Sequence, residues 1–258
     1  MDVKTAFLHG NLEEDIYIEQ PVGMEEPGKE NWVALLNKSL YGLRQAGRRW
    51  AKKLQKSMLE EGFTQISVEH SLYIRKSNTG TALIAVHVDD MAVAASNGDE
   101  IKQVAHDLNK HFEIVDLGPI KWLLGIAIER DRKSRTISLS QVAYIDSIIA
   151  KFEQGEGYEV GTPLDHNVIL SKDLSPKDET ERDRMKKIPY REAIGSLMYA
   201  ATSTRPDISF ATHKLSQYLE DPGQAHWTAA LRVIRYLKKN TKISTYYRRK
   251  TKTYSKRI

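Results

Sequence analysis

The segment AVHVDDMAVAA, at residues 85–95, places two adjacent carboxylates inside an apolar run. An unpaired buried charge costs several kcal/mol, so Asp89 and Asp90 need a setting that exposes or neutralises them. The flanking segments TALIAV and MAVAA are short and largely apolar, which predicts two strands that are buried on both faces. The residues HVDD between them predict a tight hairpin turn, because Asp tolerates turn geometry.

Two interpretations of this turn are open. Successive side chains of a regular strand point to opposite faces, so neighbouring acids reach one site only where the backbone turns. A divalent cation there would offset burial and repulsion between Asp89 and Asp90, and oxygen ligands favour Mg²⁺ or Mn²⁺ over zinc. Asp2 is a candidate third ligand because it lies among β-prone residues, although taken alone it reads better as a solvated acid. The alternative is that Asp89 and Asp90 are ordinary turn residues.

Composition limits the class of protein. The chain has 258 residues with 40% apolar and 28% charged content, which indicates a globular protein of one large domain or two subdomains. The formal net charge of +5 and the pI near 9.1 are compatible with a polyanionic partner. The absence of cysteine excludes disulfides and thiolate metal sites. No apolar run approaches the ~20 residues of a membrane span, so no membrane partner is expected and an intracellular location is the default.

Hydrophobic periodicity predicts strands and helices up to about residue 140 and mostly helices beyond it, which indicates an α+β fold with a helical second part. The segments WLLGIAIER and RTISLS flank the polar DRKS and predict a further hairpin. Ser140 is the expected N-cap of a helix. The polar stretch 165–189 predicts a linker or surface loop. Helices are predicted over 46–62, 99–112, 140–152, 189–203, 205–219 and 224–239. In the first of them, Trp50, Leu54 and Met58 recur every four residues, which predicts a buried face that includes Trp50.

Six segments occur in a fixed order along the chain. They are MDVKTAFLHGNLEEDIYIEQPVGM, KSLYGLRQAGRRW, HVDDM, WLLGIAI followed by LSQVAYI, IGSLMYAATSTRPDISFA, and HWTAALRVIRYLKKNT. Together they resemble the reverse transcriptase, or RNA-directed DNA polymerase, of Ty1/copia-type LTR retrotransposon polyproteins, from residue 1 to about residue 247. Each motif alone is weak, but six in sequence leave little room for coincidence.

The resemblance implies a right-hand polymerase. Residues 1–120 would form the palm with partial fingers, residues 121–247 a primer-grip hairpin with thumb and connection-like helices, and residues 248–258 a basic tail. The implied reaction is RNA- or DNA-templated DNA synthesis by two metal ions, Mg²⁺ or Mn²⁺. Its partners are a template with primer and deoxynucleoside triphosphates. The location would be a cytoplasmic virus-like particle or the nucleus.

The same resemblance assigns residues to the site. Asp2, Asp89 and Asp90 would be the catalytic and metal-binding carboxylates. Gln45 would lie near the incoming nucleotide and the template base. Tyr41 and Gly42, assigned to the same binding site, would form the close approach to the helix after them. Within WLLG, Trp122 and its two leucines belong either to the primer grip or, as we favour, to the core of a strand.

The chain departs from the family pattern in three respects. His87 stands where a tyrosine is usual, and Gly47 where a proline is usual. The first residues coincide with the first aspartate motif, so the chain is interpreted as a polyprotein fragment that lacks most of the fingers and the ribonuclease H segment and has weak or no activity. Two alternatives stay open. One is a non-catalytic nucleic-acid-binding remnant, and the other, ranked last, is a Mg²⁺-dependent phosphotransfer domain of receiver type.

Overall fold

A computed structural model of the chain describes residues 1–152, 158 and 160–248. The chain divides into two compact units, Met1–Pro119 and Ile120–Ile258. Both units mix helices with strands, in agreement with the α+β class expected from the sequence. Among the described residues, none of the helices combines the length and the apolar content that crossing a bilayer requires.

The first unit is built on an antiparallel six-stranded sheet with the strand order β4-β5-β6-β7-β1-β8. Two further strands, β2 and β3, form a separate hairpin. The strands are β1 (Asp2–Val3), β2 (Tyr17–Glu19), β3 (Val33–Leu35), β4 (Thr64–Ile66), β5 (Glu69–Lys76), β6 (Thr81–His87), β7 (Asp90–Ala95) and β8 (Ile114–Val115). The helices are α1 (Ala46–Glu60) and α2 (Gly98–Asn109), and a 3₁₀ turn spans Ala6–His9.

Both helices of this unit contribute to one core on one face of the sheet. The spacing that predicted α1 is confirmed, since Trp50, Leu54 and Met58 are buried in that core. Strand β6 sends Ala82 and Ile84 into the same core, while Leu83 between them is 37% exposed. The prediction that β6 and β7 are buried on both faces is therefore wrong. Their outward positions are apolar, but this antiparallel sheet has its helices on one side.

This arrangement decides which way the acidic residues point. Val3 and Met91 are buried in the core beneath the sheet. Because successive side chains of a strand alternate between faces, Asp2 and Asp90 point to the opposite face, away from α1 and α2. The sheet thus separates its structural face from a face that carries carboxylates.

The second unit combines a four-stranded sheet, in the order β12-β11-β10-β9, with a group of helices. Its strands are β9 (Trp122–Leu123), β10 (Ile126–Asp131), β11 (Thr136–Ser140) and β12 (Thr245–Arg248). Its helices are α3 (Val142–Phe152), α4 (Glu179–Lys186), α5 (Tyr190–Ser203), α6 (Ser209–Ser216) and α7 (Gln224–Lys239). Helices α3, α5, α6 and α7 share a single apolar core, which includes Ile145, Leu197, Leu215 and Ile234.

Several local predictions in this unit are wrong. The stretch 165–189, expected to be a loop, contains α4, which begins where the Asp178 side chain accepts a hydrogen bond from the Glu181 amide at 2.8 Å. Ser140 pairs with Ala127 at the end of β11 instead of capping α3, because the strand continues to that residue. Arg248, assigned to the basic tail, belongs to β12, and the rest of that tail lies outside the described residues.

Trp122 also differs from the favoured interpretation as a core strand residue. It is 60% exposed, and Leu124 beside it is 45% exposed. The physical reason is that β9 has two residues and forms the edge of its sheet, so one side of the strand has no neighbouring strand to cover it.

Candidate active site

Asp2 and Asp90 are direct cross-strand partners in the antiparallel pair β1 and β7. The backbone hydrogen bonds on either side of them run from the Val3 amide to the Asp89 carbonyl at 3.1 Å and from the Met91 amide to the Met1 carbonyl at 2.9 Å. The two aspartates therefore form a non-hydrogen-bonded pair, the kind in which Cα atoms are about 4.5 Å apart and side chains lie closest. Both side chains are half-buried on the face opposite the helices.

Asp89 lies in the two-residue turn that joins β6 to β7, between the paired residues His87 and Asp90. The first residue of the turn, Val88, has a φ of 58°, in the left-handed region. Two-residue hairpins commonly place glycine at such positions, and a β-branched residue there is an outlier that costs of order 1–3 kcal/mol. The backbone is thus strained immediately before the acidic pair.

The indole of Trp50 holds this turn from below. Its Nε1–H donates to the Val88 carbonyl at 2.7 Å, and the residue is 2% exposed. The Phe112 ring packs edge-on against the indole at a centroid distance of 5.0 Å. Sequence analysis missed this hydrogen bond, because helical spacing identifies a buried face but not the backbone atom that a side chain reaches.

A second set of contacts ties β1 to the same helix. The 3₁₀ turn after β1 packs against α1, and the Ser39 hydroxyl donates to the Phe7 carbonyl within it. Arg49 of α1 forms ion pairs with Glu13 and, at 2.5 Å, with Glu14. The Arg49 guanidinium, mainly by hydrogen bonding, lowers the pKa of the Glu13 carboxyl. Helix α1 thus contacts the turn that holds Asp89, through Trp50, and the segment that follows Asp2 in the chain, through Arg49.

Gly10 makes this close approach possible. A Cβ atom at this position would lie 2.6 Å from Ser39 Oγ and 2.9 Å from Arg49 Cβ, both shorter than real Cβ contacts. The Arg49 Cβ is next to the helix backbone and has little room to move. The segment after β1 can therefore lie against α1 only because residue 10 has no side chain.

The residues predicted to contact the nucleotide precede α1. The Gln45 side chain donates to Glu14 Oε1 at 2.9 Å. The Tyr41 ring is exposed and lies 4.6 Å from the Phe7 ring, and Gly42 has a φ of 99°. In the part of the chain that the structure describes, no side-chain hydrogen bond or ring contact joins them to the three aspartates.

A pocket of about 450 Å³ lies beside the strained turn. Its apolar lining includes Trp50, Leu54, Tyr73, Val86 and Val88. Burial raises the pKa of the Tyr73 hydroxyl, which also accepts a hydrogen bond from Gln65 at 3.1 Å. The strained turn and the Trp50 indole therefore line the same apolar pocket.

The donor chemistry of the aspartates suits a hard divalent cation, because all three offer carboxylate oxygens. Asp2 and Asp90 face each other, and Asp89 precedes Asp90 in the turn. Within residues 1–152, 158 and 160–248, no group of three or more His, Asp or Glu side chains converges closely enough to hold a metal ion. The structure thus brings two of the expected ligands together and leaves the third in the adjoining turn.

Comparisons with known proteins agree on one family. The family model described as reverse transcriptase (RNA-dependent DNA polymerase) matches residues 1–166. The Pol polyprotein from transposon TNT 1-94 of Nicotiana tabacum is 42% identical over 242 residues, which are 93% of this chain and 18% of that protein. A comparison with solved structures found no significant match.

Two further relatives match nearly the whole chain. The putative transposon Ty5-1 protein of Saccharomyces cerevisiae is 34% identical over 96% of this chain and 78% of its own length. The Pol polyprotein from transposon RE1 of Arabidopsis thaliana is 34% identical over 92% of this chain and 16% of its own length. The chain therefore spans less than a fifth of the tobacco and Arabidopsis polyproteins.

Proposed function

Because this chain belongs to the reverse transcriptase family of retrotransposon Pol polyproteins, we propose that it carries out templated DNA synthesis by a two-metal-ion mechanism. The observation that carries the proposal is the pairing of Asp2 with Asp90 beside the turn that holds Asp89. The cations of a two-metal site need carboxylate ligands close together, and Asp2 and Asp90 meet on one face of the sheet. The substrates would be deoxynucleoside triphosphates on an RNA or DNA template with primer.

The chain's own residues would divide the work as follows. Asp2, Asp89 and Asp90 would hold Mg²⁺ or Mn²⁺, and the β1–β7 pairing keeps the first and last of them on one face. When bound, two such ions activate the primer hydroxyl and stabilise charge on the transferred phosphoryl group and the leaving pyrophosphate. Gln45, Tyr41 and Gly42 would contact the incoming nucleotide and template base, and Gln45 would then exchange its bond to Glu14 for one to substrate.

The remaining elements fit the roles of a right-hand polymerase. The first unit would be the palm with partial fingers. In the second unit, the β9–β10 hairpin would be the primer grip, and α5, α6 and α7 would belong to the thumb. Exposure of Trp122 and Leu124 supports the primer-grip role, because a gripping surface must reach its ligand. The Tyr199 hydroxyl donates to the Leu124 carbonyl and steadies that hairpin. The proposal includes the expected location, a cytoplasmic virus-like particle or the nucleus.

A primer-extension assay tests the proposal. Purified chain is given primed RNA or DNA template, nucleotides and Mg²⁺ or Mn²⁺, and is compared with Asp89→Asn and Asp90→Asn. Asp15→Asn, at an exposed site of the same unit, is the matched control for loss of one charge. We expect extension that falls to background in the first two variants and persists in the control. Extension that survives in both Asp89→Asn and Asp90→Asn contradicts the proposal. The sequence-based expectation of weak or absent activity is the opposing prediction, and extension at background by the unsubstituted chain would support it against this proposal.

A second candidate function is nucleic-acid binding without catalysis. Helix α1 favours it, since this helix carries Arg48, Lys52, Lys53 and Lys56 against the single acid Glu60, besides Arg49, which already pairs with Glu13 and Glu14. Binding through phosphate contacts weakens steeply with salt and needs none of the aspartates. Salt-sensitive binding of the template-primer that is unchanged in Asp89→Asn, with no extension by the unsubstituted chain, would support this function over synthesis.

A further inference from the structure

We propose that Trp50 is a positioning residue, whose indole N–H fixes the turn that carries Asp89 and leads into Asp90, and thereby sets the placement of both acids relative to Asp2. The inference rests on the proposed function, because it assigns Trp50 a role in the same site. Trp50 lies beneath the turn in the core and would act through the backbone, without touching substrate.

The first support is the place where the hydrogen bond ends. Trp50 Nε1–H donates to the carbonyl of Val88, which belongs to the peptide unit that continues into Asp89. A bond of 2.7 Å from a buried ring fixes the plane of that peptide. This bond and the bond from the Val3 amide to the Asp89 carbonyl at 3.1 Å together orient the Asp89 backbone, and strand β7 begins at the next residue.

The second support is the strain at Val88. A valine with a φ of 58° persists only where its surroundings hold it, and the Val88 side chain is 43% exposed and contributes little packing of its own. The indole hydrogen bond ends on Val88 itself and, together with the pairing of His87 with Asp90 that closes the turn, holds the strained conformation. The buried N–H of Trp50 thus helps to maintain a turn conformation that a valine at position 88 disfavours.

The third support is that packing and ion pairs fix the position of Trp50 and of helix α1. Its ring packs against Phe112, and the neighbouring Arg49 bonds to Glu13 and Glu14 after β1. Helix α1 is therefore a common reference for the strand that carries Asp2 and for the turn that carries Asp89. A change in the indole contact should move one acid relative to the other without unfolding the unit.

Trp50→Phe keeps an aromatic ring and removes the donor. We expect the backbone amide NMR signals of Val3, Val88, Asp89 and Asp90 to shift more than the other signals of the sheet. The kcat for primer extension should fall about ten- to a hundredfold, because small misplacements of a reacting group cost factors of this size, while KM for template-primer stays the same. Tyr218→Phe, which removes a buried ring donor to the Leu170 carbonyl in the second unit, is the matched control and should change neither.

A rescue variant separates positioning from packing. Glycine adopts a positive φ at no steric cost, so Val88→Gly should keep the turn in place without the indole bond. The double variant Trp50→Phe with Val88→Gly should recover the amide positions of residues 89 and 90 and most of the lost kcat. A purely structural role of Trp50 predicts no such recovery. If Trp50→Phe does not fold, β-(3-benzothienyl)alanine at position 50 gives the same shape without the N–H.

The outcomes distinguish this inference from the function on which it rests. Unshifted signals at residues 88–90 in Trp50→Phe overturn the inference, whatever the activity. Shifted signals with an unchanged kcat also overturn it, and leave templated synthesis standing. If the unsubstituted chain extends no primer, the proposed function fails, while the amide shifts and their rescue by Val88→Gly still support the positioning of the acidic turn by Trp50.

Discussion

Asp2 on β1 and Asp90 on β7 face each other directly across the sheet, although 87 residues lie between them in the chain. Like charges placed opposite each other destabilise a sheet by roughly 0.2–1 kcal/mol. We therefore expect Asp90→Asn to raise the free energy of unfolding by about that amount in the absence of divalent cations. Urea unfolding at pH 7 measures it, with Asp15→Asn as the control. A loss of stability in Asp90→Asn would show that the two carboxylates do not repel each other as proposed.

Divalent cations should reverse the sign of this effect. A ligand that binds only the folded state stabilises it by RT ln(1 + [L]/Kd), or about 2.7 kcal/mol at a hundredfold excess over Kd. We expect Mg²⁺ or Mn²⁺ to raise the thermal midpoint of the unsubstituted chain and to leave Asp2→Asn and Asp90→Asn unchanged. The control is a buffer without divalent cations that is brought to the same ionic strength with choline chloride. An equal rise in all three proteins would place cation binding elsewhere.

Gly10 should be intolerant of a side chain. Gly10→Ala forces the new Cβ against Ser39 and Arg49, and overpacking of this kind typically costs about 1–3 kcal/mol. Gly47→Ala is the matched control, because a Cβ at position 47 meets nothing within 4 Å and alanine is a better helix former than glycine. Denaturant unfolding should thus move in opposite directions for the two variants. Equal stability of Gly10→Ala and the unsubstituted chain would refute the close approach.

Arg205 is fully buried and depends on Asp207 for its charge balance. The guanidinium donates to both carboxylate oxygens, at 3.0 and 2.7 Å, and to the Asn240 carbonyl. Burial acts to raise the pKa of Asp207, but the hydrogen bonds and charge of Arg205 outweigh burial and leave that pKa below its ordinary value. We expect Asp207→Ala to cost about 3–5 kcal/mol, because it leaves a buried cation unpaired.

The control for this prediction is an exposed ion pair in the same unit. Glu192 pairs with Lys151 at 2.6 Å, and both side chains are more than half exposed. Glu192→Ala should change the free energy of unfolding by no more than about 1 kcal/mol. Similar losses in Asp207→Ala and Glu192→Ala would mean that burial of Arg205 does not matter to stability.

His226 should make stability depend on pH. The ring is buried, and its Nδ1 accepts from the Gly223 amide at 2.9 Å, so that its Nε2–H donates to the Ser171 carbonyl. Burial lowers the pKa of His226 from its ordinary value of 6.5. Below pH 6.5 the unfolded chain binds a proton at His226 more readily than the folded chain does. The free energy of unfolding is therefore highest above this pH and decreases as the pH falls below it.

Thermal or urea unfolding between pH 8 and pH 5 measures this dependence (the range in which an ordinary histidine titrates). His226→Gln should flatten the dependence, whereas His213→Gln, at an exposed position of α6, should leave it in place. A slope that is the same in both variants would assign the pH dependence to other groups.

Local elements of the fold could be predicted because they follow from neighbouring residues. The amphipathic spacing of Trp50, Leu54 and Met58 predicted α1 and its buried face, and the apolar segments around HVDD predicted β6, β7 and their turn. The same reasoning failed where polar content suggested a loop, because the Asp178 cap and ion pairs on the surface of α4 make a polar helix stable. Periodicity and turn chemistry act over a few residues, so they predicted α1, β6, β7 and the turn between the two strands.

The candidate site depends on contacts that local patterns do not contain. The chain's own residues predict that a turn joins two strands at the acidic pair and that Trp50 belongs to the core, and they identify the reverse transcriptase family. The folded chain alone establishes that Asp2 pairs with Asp90, that the Trp50 indole reaches the Val88 carbonyl and that Trp122 is exposed. The reason is physical: register between distant strands and the end point of a buried donor are set by packing among segments far apart in sequence, where no short-range periodicity operates.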